Sequence, residues 1–136
     1  MNMDSNAQID LLFTLYFVGR KVKSEYRHRN EDKMLDAAIL HLLHKRAYTL
    51  SELAKKLYSK LSSVSEKLTQ MEKEGYIMRK DKKDDEREIE ITLSTKGIGY
   101  VHKNTYILRQ HCVQFMHKMT KEDVVVVNRL MQKLLI

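Results

Sequence analysis

Two runs decide the fold: Thr49-Leu50-Ser51-Glu52-Leu53-Ala54-Lys55-Lys56-Leu57 and, after Tyr58-Ser59-Lys60, the stretch from Leu61 to Gly75. In the first, Thr49 and Glu52 have the spacing of a capping box, and Leu50, Leu53, Ala54 and Leu57 recur as one buried helix face. In the second, Leu61, Val64, Leu68 and Met71 form another apolar stripe, and Gly75 stands where a helix favours glycine just past its end. Two short helices joined by a tight turn are expected. Opposite the second stripe lie Ser62, Ser63, Glu66, Thr69, Gln70 and Lys73, a polar face able to hydrogen-bond to base edges.

Working outward, Tyr76-Ile77-Met78-Arg79-Lys80 and Glu86-Arg87-Glu88-Ile89-Glu90-Ile91-Thr92-Leu93 flank the charged run Asp81-Lys82-Lys83-Asp84-Asp85. Ile89, Ile91 and Leu93 alternate with Glu88, Glu90 and Thr92, which predicts a β-hairpin with one buried side. Helix, turn, helix and hairpin in this order spell a winged helix-turn-helix.

Asp85-Glu86-Arg87 followed by Leu93-Ser94 and Lys96-Gly97 resembles the wing signature of the MarR family of transcription regulators, in a form similar to its staphylococcal accessory regulator branch. Glu52-Leu53-Ala54, Val64-Ser65 and Glu72-Lys73-Glu74-Gly75-Tyr76-Ile77 extend the resemblance over Thr49 to Gly97. The resemblance implies a mainly α fold with a small β-hairpin and with N- and C-terminal dimerisation helices. One domain spans 1–136, with 49–97 as the DNA-binding part and about 5–45 and 98–136 as the helical scaffold.

The remaining helix patterns suit that scaffold. Ala7 to about Arg29 carries Ile9, Leu12, Phe13 and Tyr16 on one stripe; Leu35, Ala38, Ile39, Leu42 and Leu43 form another, with Asn30 or Asp32 as cap. From Thr95 to Met119, Ile98, Val101, Thr105, Leu108, Cys112, Phe115 and Met119 step by three and four as a heptad seam. Thr120 and Asp123 cap a last helix bearing Val124, Val127, Met131 and Leu134. Adjacent helices within one chain can cover such seams, so the dimer is implied by the resemblance, which pairs the first and the last two helices between subunits.

Composition agrees. Lys and Arg outnumber Asp and Glu by 25 to 18, a net charge of +7 over 136 residues, which favours a polyanionic partner, although the same charge also keeps a small protein soluble. Met1 to Asp4 has no basic leader, and Leu11 to Val18 is too short to span a bilayer, so a cytoplasmic protein without a membrane partner is expected. Cys112 is the sole cysteine, which rules out an internal disulfide, and its place on the seam suggests a packed thiol.

The resemblance distributes roles across the reading head. Ser59, Lys60, Ser62 and Ser63 at the start of the second helix would hold phosphate; Glu66, Thr69 and Gln70, with Lys73 beside them, would read bases in the major groove. Arg87 would enter the minor groove with Asp85 holding its guanidinium, while Arg79, Lys80, Lys82 and Lys83 add phosphate contacts. The chain departs from the family pattern in its acidic wing tip and in Glu66, which stands where many relatives carry arginine.

The expected function is a sequence-specific double-stranded DNA-binding regulator, a repressor acting as a homodimer on a pseudo-palindromic site, with release by a small amphipathic ligand as a family option. The alternative is a winged helix that binds protein instead of DNA, an antirepressor for instance. No phosphate loop, nucleophile elbow or HExxH points to an enzyme or a cofactor. His41 and His44, three apart, could share a metal with His102, His111 or His117, but no compact Cys/His spacing supports one.

Overall fold

The computed structural model describes residues 5–25, 33–82 and 85–136, of which 5, 33, 81, 82 and 85–87 are described in backbone only. The described chain folds as α1 (Ser5–Glu25), α2 (Lys33–Lys45), β1 (Tyr48–Thr49), α3 (Leu50–Lys56), α4 (Leu61–Lys73), β2 (Ile77–Lys82), β3 (Asp85–Leu93), α5 (Thr95–Phe115) and α6 (Lys121–Gln132). Asn30 and Asp32, the caps expected for α2, lie outside the described residues.

Local chemistry explains the element starts. Thr49 accepts from the Glu52 backbone N–H at 3.2 Å, and the Glu52 carboxylate accepts from the Thr49 backbone N–H at 3.2 Å, closing the capping box of α3. That bond to the Thr49 backbone, ahead of the neighbouring Arg46, holds the Glu52 carboxyl below its usual range. Thr120 and Asp123 repeat the arrangement at α6. Thr49→Ala should lower stability by about 1 kcal/mol, since it orphans one helix donor; a thermal melt that does not move would show the cap to be idle.

The core gathers Ile39, Leu40 and Leu43 of α2, Leu53 and Ala54 of α3, Val64, Leu68 and Met71 of α4, Tyr48, Ile77 and Ile91 of the sheet, and Val101 of α5. The sheet is antiparallel in the order β1-β3-β2. Two-residue β1 is too short to carry a sequence signal, yet it pairs Tyr48 with Ile91 and anchors α3 to the wing. Within the hairpin, Ile77 pairs with Leu93 and Arg79 with Ile91.

Several expected core positions differ. Ile89 is 41 % exposed, because β3 runs beyond the helices there, and Leu61 is 52 % exposed at the first position of α4. The helix expected to reach Met119 ends at Phe115, with Met116 as its C-cap. Its seam is covered unevenly: Val101 is buried, and Thr105, whose hydroxyl donates to the Val101 carbonyl at 2.7 Å, is half-buried with Leu108 and Phe115, but Ile98 is exposed and Cys112 is exposed instead of packed.

The stripe of α1 is bare too, with Ile9, Leu12, Phe13 and Tyr16 between 51 % and 64 % exposed, and α6 has no buried residue. Exposed apolar stripes of this kind suit an interaction surface. No described helix is long and apolar enough to cross a membrane.

Candidate nucleic-acid interface

The reading head is built by how its two short helices end. α3 closes with the Ser59 N–H donating to the Ala54 carbonyl at 3.1 Å and the Tyr58 N–H to that of Lys55 at 3.3 Å. This two-bond closure needs a left-handed residue, and Tyr58 takes it at φ 50°, a position where glycine is the unstrained choice. The same closure at the end of α4 uses Gly75 at φ 86°, with Tyr76 donating to Met71 at 2.9 Å. The absence of glycine hid the first turn's geometry from sequence patterning; the second was legible.

Between these turns α4 buries Val64, Leu68 and Met71 and leaves Ser62, Ser63, Glu66, Thr69, Gln70 and Lys73 exposed. Its N-cap, Lys60, makes no side-chain capping bond, so the first amides of the helix meet solvent with the positive end of the helix dipole. Ser59 is half-buried, and its hydroxyl donates to the Leu57 carbonyl at 3.1 Å. Tyr58, 78 % exposed beside Lys60, joins this surface without having been a sequence candidate.

The outward side chains are not equally free. Thr69 donates its hydroxyl to the Ser65 carbonyl at 3.0 Å and accepts from Arg79 Nη2 at 3.2 Å. Arg79, on β2, also pairs its Nε with Glu72 at 3.4 Å, so it ties the wing to α4. Gln70 donates its amide to Glu74 at 3.1 Å. Glu66 makes no hydrogen bond or ion pair among the described residues. From the opposite side Lys67 reaches Asp36 of α2 at 3.2 Å, fixing the back of the helix to the scaffold.

On the wing, Lys80 is exposed and pairs across the ladder with Glu90. Lys83 lies outside the described residues, as do the side chains of Lys82, Asp85 and Arg87, although β2 and β3 place the backbones of those last three at the far end of the hairpin.

Behind the head, a cavity of about 320 Å³ is lined by Leu43, His44 and Arg46 of α2 and its exit, Thr92 and Leu93 of β3, and Ile98 of α5. His44 meets His102 edge-on at 5.6 Å. Burial, then Lys45 and His44, push the His41 imidazole below its ordinary value. No group of three His, Cys, Asp or Glu among the described residues is arranged to hold a metal.

An exposed helix with a free positive end, flanked by a lysine-bearing hairpin, is the geometry of a groove reader, and residues 34–89 match the MarR family model. Over those residues the chain is similar to the MarR family. The HTH-type transcriptional regulator SarZ of Staphylococcus haemolyticus is 26 % identical over 100 residues, 71 % of this chain and 68 % of SarZ. The transcriptional regulator BldR of Sulfolobus solfataricus superposes with a TM-score of 0.81 at 18 % identity, covering 96 % of this chain and 99 % of BldR. A mutant MarR of E. coli, solved with operator DNA, superposes with a TM-score of 0.74 at 21 % identity, covering 98 % of this chain and all of that one (100 %). Two of these relatives are named as transcriptional regulators, and the two structural likenesses show that this chain shares their winged-helix fold.

Proposed function

We propose that this MarR-like chain is a homodimeric, sequence-specific reader of double-stranded DNA that represses by occupying a pseudo-palindromic operator. The observation that carries the reading is the exposed face of α4, from Ser62 to Lys73, beside the basic strand bearing Arg79 and Lys80. Lys60 and the open amides of α4 hold phosphate, joined by the hydroxyls of Tyr58, Ser62 and Ser63; Lys73, Lys80, Lys82 and Lys83 add backbone contacts. Ser59 contributes its backbone, since its hydroxyl is spent on Leu57. Arg87 enters the minor groove, set by Asp85.

A second copy of the chain covers α1, α5 and α6. Their bare apolar stripes suit a self-complementary interface, which spaces the two heads along the duplex. Residues 49–97 then form the reading part, and about 5–45 and 98–136 the scaffold. The cavity behind the head suits a small amphipathic effector, with apolar Leu43, Leu93 and Ile98 and polar His44 and Arg46.

The test is fluorescence anisotropy with duplexes that the protein itself enriches from a random library, across a salt series, with light scattering for the dimer. A reader making six or more phosphate contacts loses about a thousandfold in affinity or more between 50 and 200 mM salt. Arg87→Ala should weaken binding at unchanged melting temperature. The acidic Glu66 favours a protein-binding winged helix as the competing reading; salt-insensitive capture of a protein with no enriched duplex would establish it.

A further inference from the structure

The three candidate base readers on α4 are chemically unequal. Thr69 uses both hydrogen-bonding functions of its hydroxyl within the protein, donating to Ser65 and accepting from Arg79. Gln70 has its amide nitrogen committed to Glu74. Glu66 alone of the three is exposed with no hydrogen bond or ion pair among the described residues, midway along the outward face between Ser62 and Ser63 on one side and Thr69 and Gln70 on the other.

A carboxylate entering a groove lined with phosphates is repelled, so it favours binding only where a base offers it a proton. In the major groove guanine shows two acceptors and thymine an acceptor beside a methyl group; adenine has a donor, but its N7 acceptor lies alongside. Cytosine presents its N4 amino group with no neighbouring acceptor of its own. Resting on the DNA-binding reading above, we infer that Glu66 is the specificity-determining residue of α4 and selects cytosine in each half-site. Thr69, its hydroxyl occupied, offers its methyl group, which suits an adjacent thymine methyl. The repulsion also disfavours every sequence lacking the donor, so Glu66 sharpens selectivity while lowering nonspecific affinity.

Wild type, Glu66→Gln and Glu66→Ala would each be used to enrich duplexes from one random library, and the products titrated by anisotropy. Wild type should enrich a site with one strongly preferred cytosine per half-site. Glu66→Gln, which removes the charge and adds a donor, should lose the cytosine preference by about tenfold or more and shift it toward adenine. Both variants should bind random duplex more tightly than wild type at unchanged melting temperature. If both retain the cytosine, or wild type enriches a site with no preferred cytosine, the assignment to Glu66 is overturned while the DNA-binding reading stands. If wild type enriches no duplex at all, the DNA-binding reading falls and this inference with it.

Discussion

Replacing Leu68 by alanine should lower the stability of the protein by about 3 kcal/mol, the midrange cost of opening a cavity at a closed core site. Leu68 has no exposed surface and lies where α4 meets the rest of the core, with Val64 one turn before it and Met71 one turn after. Its neighbours are held by separate ties: Lys67 to α2 through Asp36, and Thr69 to β2 through Arg79. The site therefore collapses poorly. A fall in melting temperature of about 10 °C at fixed protein concentration is expected. Leu68→Met, which keeps the volume, should cost less than about 1.5 kcal/mol. Equal effects of the two variants would mean that the cavity is not what is being measured. DNA binding should follow stability for both, because neither variant touches the outward face.

The contrast between Leu68 and Thr69 shows what the sequence could and could not disclose. Burial of Val64, Leu68 and Met71 is legible because helix periodicity alone sorts a chain into faces, and both capping boxes are legible because their partners are three residues apart. The state of Thr69 depends on Arg79, ten residues away on another element, and no local pattern reveals that bond. A face that reads as three equivalent candidates therefore resolves into one free carboxylate, one hydroxyl tied to the wing and one amide whose nitrogen is held by Glu74. β1 was invisible because two residues have no period, and Ile89 misled because alternation continues past the point where helices cover the sheet. The heptad seam of α5 was legible as a pattern, but one chain leaves Cys112 open and Phe115 only half-covered. A seam says that cover is needed, not who supplies it.

Gly97→Ala should cost about 2 kcal/mol, whereas Gly99→Ala, two residues on in the same helix, should stabilise by up to about 1 kcal/mol. Alanine is the better helix former at both places, so propensity alone predicts two gains of the same size. The surroundings separate them. A Cβ at Gly99 meets nothing within 4 Å, but one at Gly97 overlaps the Tyr76 carbonyl oxygen and stands 3.1 Å from its carbon and 3.3 Å from Leu93 Cδ2. That carbonyl cannot give way cheaply, because it accepts from the Ser94 N–H at 3.0 Å. Ser94 in turn caps α5 by accepting from the Gly97 N–H at 3.0 Å, and its hydroxyl donates to the Gly75 carbonyl at 2.6 Å. Lys96 closes the other side, donating to the Glu74 carbonyl at 2.8 Å with its ammonium 4.8 Å from the Tyr76 ring centre. The Leu-Ser-x-x-Gly run is thus a clasp that docks α5 onto the turn between α4 and β2. Loosening it changes how the scaffold holds the reading helix, so Gly97→Ala should also weaken operator binding, and Gly99→Ala should leave it alone. Thermal melts and anisotropy on the two variants check both halves; a shared gain in melting temperature would show that the close approach of Gly97 to Tyr76 is not maintained in solution.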